Sequence, residues 1–82
     1  MPYATVFNMY PNPAQSMLHV EFVETLRESD LRITDLNGRL VQHQLVSGKS
    51  VQLDVSGMNA GIYIVSLEGS KGISHALFTV VK

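Results

Sequence analysis

Apolar and polar residues alternate with a period of two through most of this chain, and no stretch sustains the 3.6-residue period of an amphipathic helix. Leu18-His19-Val20-Glu21-Phe22, Leu31-Arg32-Ile33-Thr34 and Val51-Gln52-Leu53-Asp54-Val55 read as strands with one face in a core and the other in water. Residues 62–67 and 76–81 are more continuously apolar and rich in β-branched side chains, as strands nearer the centre of a fold are. A further short strand is expected at about Thr5 to Met9. Residues 23–29 tolerate a helix but are short and uncapped. With Glu24 and Glu28, and Glu21 held in the preceding strand by alternation, they read as a solvated acidic loop.

Turn signals separate these runs at short intervals. Asp35-Leu36-Asn37-Gly38 sets Asn-Gly between two strand patterns, where left-handed backbone angles are wanted, and marks a hairpin. Ser47-Gly48-Lys49 reads as the next turn, residues 57–61 as a longer loop, and residues 68–72 as a hairpin with two glycines. Pro11-Asn12-Pro13 belongs to no central strand, because each proline lacks an amide donor, and it marks a stiff bend. About seven short strands result. They predict an all-β fold, an immunoglobulin-like antiparallel β-sandwich forming one domain over residues 1–82, with residues 1–4 as linker or cloning remnant.

Charge and composition remove several function classes. The net charge is −1, and Arg27, Arg32, Arg39, Lys49, Lys71 and Lys82 are scattered, so neither nucleic acid nor an anionic lipid surface finds a basic patch. The absence of cysteine excludes disulfides, thiolate metal sites and a cysteine nucleophile. No apolar run approaches the ~20 residues of a membrane-spanning helix. The first residues, Met1-Pro2-Tyr3-Ala4-Thr5, lack the basic and apolar regions of a signal peptide, so any export signal lies elsewhere.

The candidate chemical groups each have a structural explanation. His19, His43 and His75 occupy polar slots in strand patterns and share no metal-ligand spacing, so they are expected on the surface. No Gly-x-Ser-x-Gly elbow marks a serine nucleophile, and Ser56-Gly57 reads as a turn. Asp30, Asp35 and Asp54 form no calcium-loop pattern. Tyr63 follows a glycine-containing loop into an apolar strand, as the tyrosine of a tyrosine corner does. Its hydroxyl is therefore expected to bond back to the 57–61 loop. Gly61 beside it is expected to supply an unusual backbone angle or a close approach. Phe22, Tyr63 and Phe78 are expected in the core. The reading is of a protein that is not an enzyme and uses neither cofactor nor metal.

Three landmarks then occur in order: Tyr10-Pro11-Asn12-Pro13-Ala14; the run from Leu31 to Val41 through Asp35-Leu36-Asn37-Gly38-Arg39; and the run from Val51 to Val65 through Gly61-Ile62-Tyr63. Their order and spacing resemble the C-terminal sorting domains, type A, of type IX secretion cargo in Bacteroidetes, over nearly the whole chain. The resemblance implies a non-catalytic signal at the C-terminus of a precursor. It directs an upstream cargo domain from the periplasm through the outer-membrane translocon to the cell surface or medium, and a sortase-like peptidase then removes it. The family's Pro-x-Pro element falls on Pro11 and Pro13, its Asp-x-x-Gly-Arg turn on Asp35, Gly38 and Arg39, and its Gly-x-Tyr element on Gly61 and Tyr63. The closing segment of such domains often carries several lysines; residues 74–82 contain only Lys82.

An edge strand offers unpaired backbone groups to a partner. The last strand, residues 73–81, with Val80, Val81 and Lys82 at its end, and the 57–63 loop are therefore the expected recognised surface. The same edge leaves a homodimer open. The rival reading is an immunoglobulin-like binding or adhesion module, which the absence of tryptophan and the few aromatics argue against for a carbohydrate ligand.

Overall fold

The computed structural model describes residues 7–69 and 72–82, with Phe7 and Glu24 described in their backbone alone. Residues 1–4, the Thr5 end of the first expected strand, and Ser70 and Lys71 of the two-glycine hairpin lie outside the described residues. Among the described residues five strands form one antiparallel sheet: β1 (Phe7–Tyr10), β2 (Met17–Asp35), β3 (Leu40–Asp54), β4 (Gly61–Gly69) and β5 (Gly72–Val80). The path runs β1-β2-β4-β5, and β3 pairs along the other edge of β2.

Two strands are far longer than the sequence pattern suggests. The expected runs at 18–22 and 31–34 are the two halves of β2, and the run at 51–55 is the end of β3. Seven expected strands become five because the segments between these runs stay extended. Residues 23–29 are neither helix nor acidic loop but the middle of β2, where the register against β3 shifts between Glu21 and Leu26 and again between Leu26 and Ser29. Ser47-Gly48-Lys49 is likewise no turn. Gly48 pairs with Leu26 at φ +90 and supplies the irregularity on the β3 side. Between Glu21 and Ser29 β2 advances eight positions while β3 advances four, from Ser50 to Val46; extra residues bend the strand that carries them and raise the local twist, and here they fold a long hairpin over.

The extent of that folding follows from one contact. Residues 42 and 54 of β3 are twelve positions apart, which spans about 40 Å in a straight strand. Gln42 nevertheless donates from Nε2 to the Asp54 carbonyl oxygen at 2.7 Å. The hairpin therefore curls back until its two ends meet, within a molecule 35 × 24 × 19 Å. Inward residues from both halves of β2 (Leu18, Val20 and Phe22; Leu31 and Ile33) join Leu53, Val65, Phe78 and Val80 in a single buried cluster. The all-β sandwich expected from the sequence is this one sheet folded onto itself, nearly a barrel. Phe22, Tyr63 and Phe78 are buried, as the alternation implies.

Residues 11–16 close the remaining seam. Ala14, fully buried, donates to the Thr79 carbonyl at 2.7 Å and accepts from the Val81 amide at 2.9 Å, making a parallel bridge to Val80. The peptide bonds Tyr10-Pro11 and Asn12-Pro13 are both cis. The stiff bend expected at Pro11-Asn12-Pro13 is thus a strap from β1 to the outer edge of β5.

Candidate recognition site

Pairing register places every landmark at one end of the folded sheet. Asp35 pairs with Tyr63, Tyr63 with Phe78, and Gly61 with Val80. Ala14 bridges Val80, and Met17 pairs with Asp54, whose carbonyl Gln42 holds. Pro11, Pro13, Asp35, Gly38, Arg39, Gly61, Tyr63, Val80, Val81 and Lys82 therefore converge although 71 positions separate the first from the last. In contrast β1 begins at Phe7 opposite Phe22, at the other end.

The Asp35 turn is built by its own carboxylate. Oδ1 accepts the amides of Asn37 and Arg39, each at 2.9 Å, while the Gly38 amide donates to the Asp35 carbonyl at 3.0 Å. Within this turn Gly38 alone takes the left-handed angle, at φ +86; among the described residues none but glycine has a positive φ, so Asn37 does not share it as a two-residue hairpin turn would require. The Arg39 guanidinium lies 3.5 Å from Asp35 Oδ2 and is largely exposed, available to a partner.

Tyr63 fastens the neighbouring loop. Its hydroxyl donates to the Asn59 carbonyl at 2.6 Å, and its ring stacks on Phe78 at 5.8 Å. This is the tyrosine-corner geometry expected of it. Gly61 has φ +157, an angle that L side chains seldom adopt, and a Cβ there would meet the Tyr63 ring only at 4.0 Å. The unusual angle, not a close approach, is what this glycine supplies. The loop opens with a turn, the Met58 amide donating to the Val55 carbonyl at 3.0 Å, so Ser56-Gly57 is a turn as its sequence suggests.

The closing residues are held on two sides. Lys82 Nζ donates to the Ser56 carbonyl at 2.7 Å. Asp54 accepts from the Ser56 hydroxyl at 2.6 Å and amide at 2.9 Å, which, with the Lys82 charge nearby, lowers its carboxyl below the usual range. Between the strap and Val81 lies an open groove of about 430 Å³ lined by Pro11, Pro13, Gln15, Ser16, Met17 and Val81. One expectation is corrected here. The outer edge of the last strand is occupied by Ala14 at residues 79–81, so its backbone is not offered for strand addition at that point. The contacts that do this come from Asn12, whose Oδ1 accepts the Thr79 amide at 3.1 Å, and from Ala14. Both stand beside the prolines that the sequence pattern singles out, and small size at Ala14 was the only signal.

The histidines do not converge. His19 is half-buried beside Tyr10, their ring centroids 4.8 Å apart; Glu21 takes a 3.3 Å hydrogen bond from the Tyr10 hydroxyl. Partial desolvation and the Glu21 charge raise the Tyr10 hydroxyl above its usual range. His43 lies 3.0 Å from Asp30, and His75 Nδ1 lies 2.9 Å from the Ser66 hydroxyl. Among the described residues no three His, Asp or Glu side chains are grouped to hold a metal.

Residues 8–81 match the family described as the secretion system C-terminal sorting domain. No curated protein matches the chain. Among solved structures, PorZ of Porphyromonas gingivalis, titled an essential bacterial surface component of its type IX secretion system, shares the fold at a TM-score of 0.77 and 22% identity, over 93% of this chain and 11% of that one. The chain thus spans about a tenth of PorZ's length, and the likeness concerns the fold. With the family match covering nearly all of the described strands, the chain belongs to the C-terminal sorting domains of type IX secretion, signals for export to the cell surface or medium.

Proposed function

We propose that the domain carries an upstream cargo from the periplasm through the outer-membrane translocon of the type IX system, which reads the landmark end, and that a sortase-like peptidase then removes it. The observation that carries this reading is the convergence of Pro11, Pro13, Asp35, Gly38, Arg39, Gly61, Tyr63, Val80, Val81 and Lys82 at one end of the sheet. Of these, Pro11, Pro13, Gly38, Arg39 and Lys82 are exposed, while Tyr63 and Val80 are buried beneath them and hold the turns and the closing residues in place. Because β1 starts at the far end, cargo joined ahead of it would stand away from that surface. Recognition then rests on side chains and turns, since the strap already satisfies the last backbone groups of the edge.

The test is a secreted reporter fused ahead of the chain in a bacterium with a type IX system. Removal of Val80, Val81 and Lys82 should leave the reporter in the periplasm, and the intact fusion should reach the surface shortened by proteolysis. Surface delivery of the truncated fusion would reject the assignment of the landmark end. Delivery at full length would reject the peptidase step.

A further inference from the structure

The two outer faces of the folded sheet differ in chemistry. On the face built by β1, the start of β2 and the end of β3, cross-strand rows read Tyr10-His19-Gln52 and Asn8-Glu21-Ser50. On the face built by the start of β3, the end of β2, β4 and β5, one row reads Leu40-Thr34-Ile64-Leu77. Ile62 extends it by one same-face step toward Gly61 and the landmark end. Leu40, Ile62 and Leu77 are 53%, 47% and 59% exposed, and no charged side chain interrupts the row. Cross-strand neighbours on one face lie about 5 Å apart, so Ile62, Ile64 and Leu77 form an apolar strip that half-buried Thr34 joins to Leu40, while the next same-face row on the side away from Ile62 carries His43, Arg32, Ser66 and His75.

Resting on the reading that the outer-membrane translocon recognises the adjacent end, we infer that this strip is the docking face for an apolar, uncharged surface of that translocon. Its size decides against a second copy of the chain. One row across four strands, with Ile62 beside it, covers on the order of 200 Å², whereas a stable complex buries roughly 800 Å² on each partner. A dimer through the strip alone falls well short. A larger partner reaches the needed area by continuing from the strip across Ile62 onto the landmark end. The strip then supplies desolvation and the turns supply orientation, as apolar centres and polar rims do in protein interfaces.

The double variant Leu77→Glu with Ile62→Glu places charge where the partner must desolvate it. Val23→Glu, at a 65% exposed valine in the bend at the far end, is the matched control. In the reporter fusion the unaltered and Val23→Glu domains should be delivered, while the double variant falls by about tenfold or more and accumulates in the periplasm. Leu77→Thr, which keeps a strand-favouring side chain, should show a smaller loss in the same direction and covers the case in which the double variant melts early. Failure of the unaltered fusion to reach the surface would reject the sorting reading on which the inference rests. Normal delivery of both Leu77 variants beside a delivered unaltered fusion would overturn the docking face alone. Sedimentation should find the unaltered domain monomeric; a dimer abolished by Leu77→Glu would assign the strip to a second copy and overturn it too.

Discussion

Lys82 donates from Nζ to the carbonyl oxygen of Ser56, 2.7 Å away, and so ties the closing residues to the loop that precedes β4. The same Ser56 gives its hydroxyl and amide to Asp54, so a carboxylate, a turn and an ammonium share one small network at the landmark end.

Asp54 should titrate below its usual 3.8, first because the Ser56 hydroxyl and amide bond its charged form and then because Lys82 stands near. A carboxyl depressed in the fold contributes stability above its unfolded value and loses it as pH falls through the folded value. The network therefore persists at neutral pH and loosens only in acid below that ordinary range. A carboxyl titration followed by NMR should show the low midpoint, and Ser56→Ala should raise it. An unchanged midpoint in Ser56→Ala would contradict the stated cause.

Tyr63→Phe removes one hydroxyl while keeping the ring on Phe78. The loss should be about 1 kcal/mol, the net worth of one hydrogen bond, and amide exchange at Met58 should quicken as the loop loosens. Equal denaturation midpoints for the two proteins would show that the Asn59 contact does not hold the loop.

Gly38 and Gly57 make a contrast between angle and space. A Cβ at either meets nothing within 4 Å, yet only Gly38 sits at a left-handed φ, +86. Gly38→Ala should cost about 1 kcal/mol through backbone strain, and Gly57→Ala should be neutral or slightly stabilising through the unfolded chain. Thermal melts of the pair check this, and equal melting temperatures would reject it.

Ser74 is 8% exposed on β5, and its hydroxyl is the one buried side-chain polar atom among the described residues without a partner. Leaving a hydroxyl unsatisfied costs about 1–3 kcal/mol, so Ser74→Ala should stabilise the domain by up to about 1 kcal/mol after the lost strand preference. Urea denaturation should show a higher midpoint at the same slope. A lower midpoint would mean that the hydroxyl is satisfied in solution.

The local sequence determined which residues face inward. Period-two alternation at Leu18, Val20 and Phe22, and at Leu31 and Ile33, is enough to put those side chains in a core, because strand side chains alternate by geometry. Gly61-Ile62-Tyr63 announced the tyrosine corner for a similarly local reason, since Tyr63 reaches only four residues back to Asn59. The Asp35 turn was legible too, apart from the angle at Asn37, which the Asp35 carboxylate spares by accepting two amides within the turn.

What the sequence could not reveal depends on contacts between distant residues. Residues 23–29 and Gly48 carry weak strand signals and read as loop and turn. They remain extended because each strand pairs with the other through the bend, an arrangement that neither segment specifies alone. Neighbouring sequence likewise says nothing of Asn12 and Ala14 closing on Thr79 and Val81, 67 positions away. Only the folded hairpin brings those backbones within hydrogen-bonding range, and only that folding gathers three separated motifs at one end of the sheet.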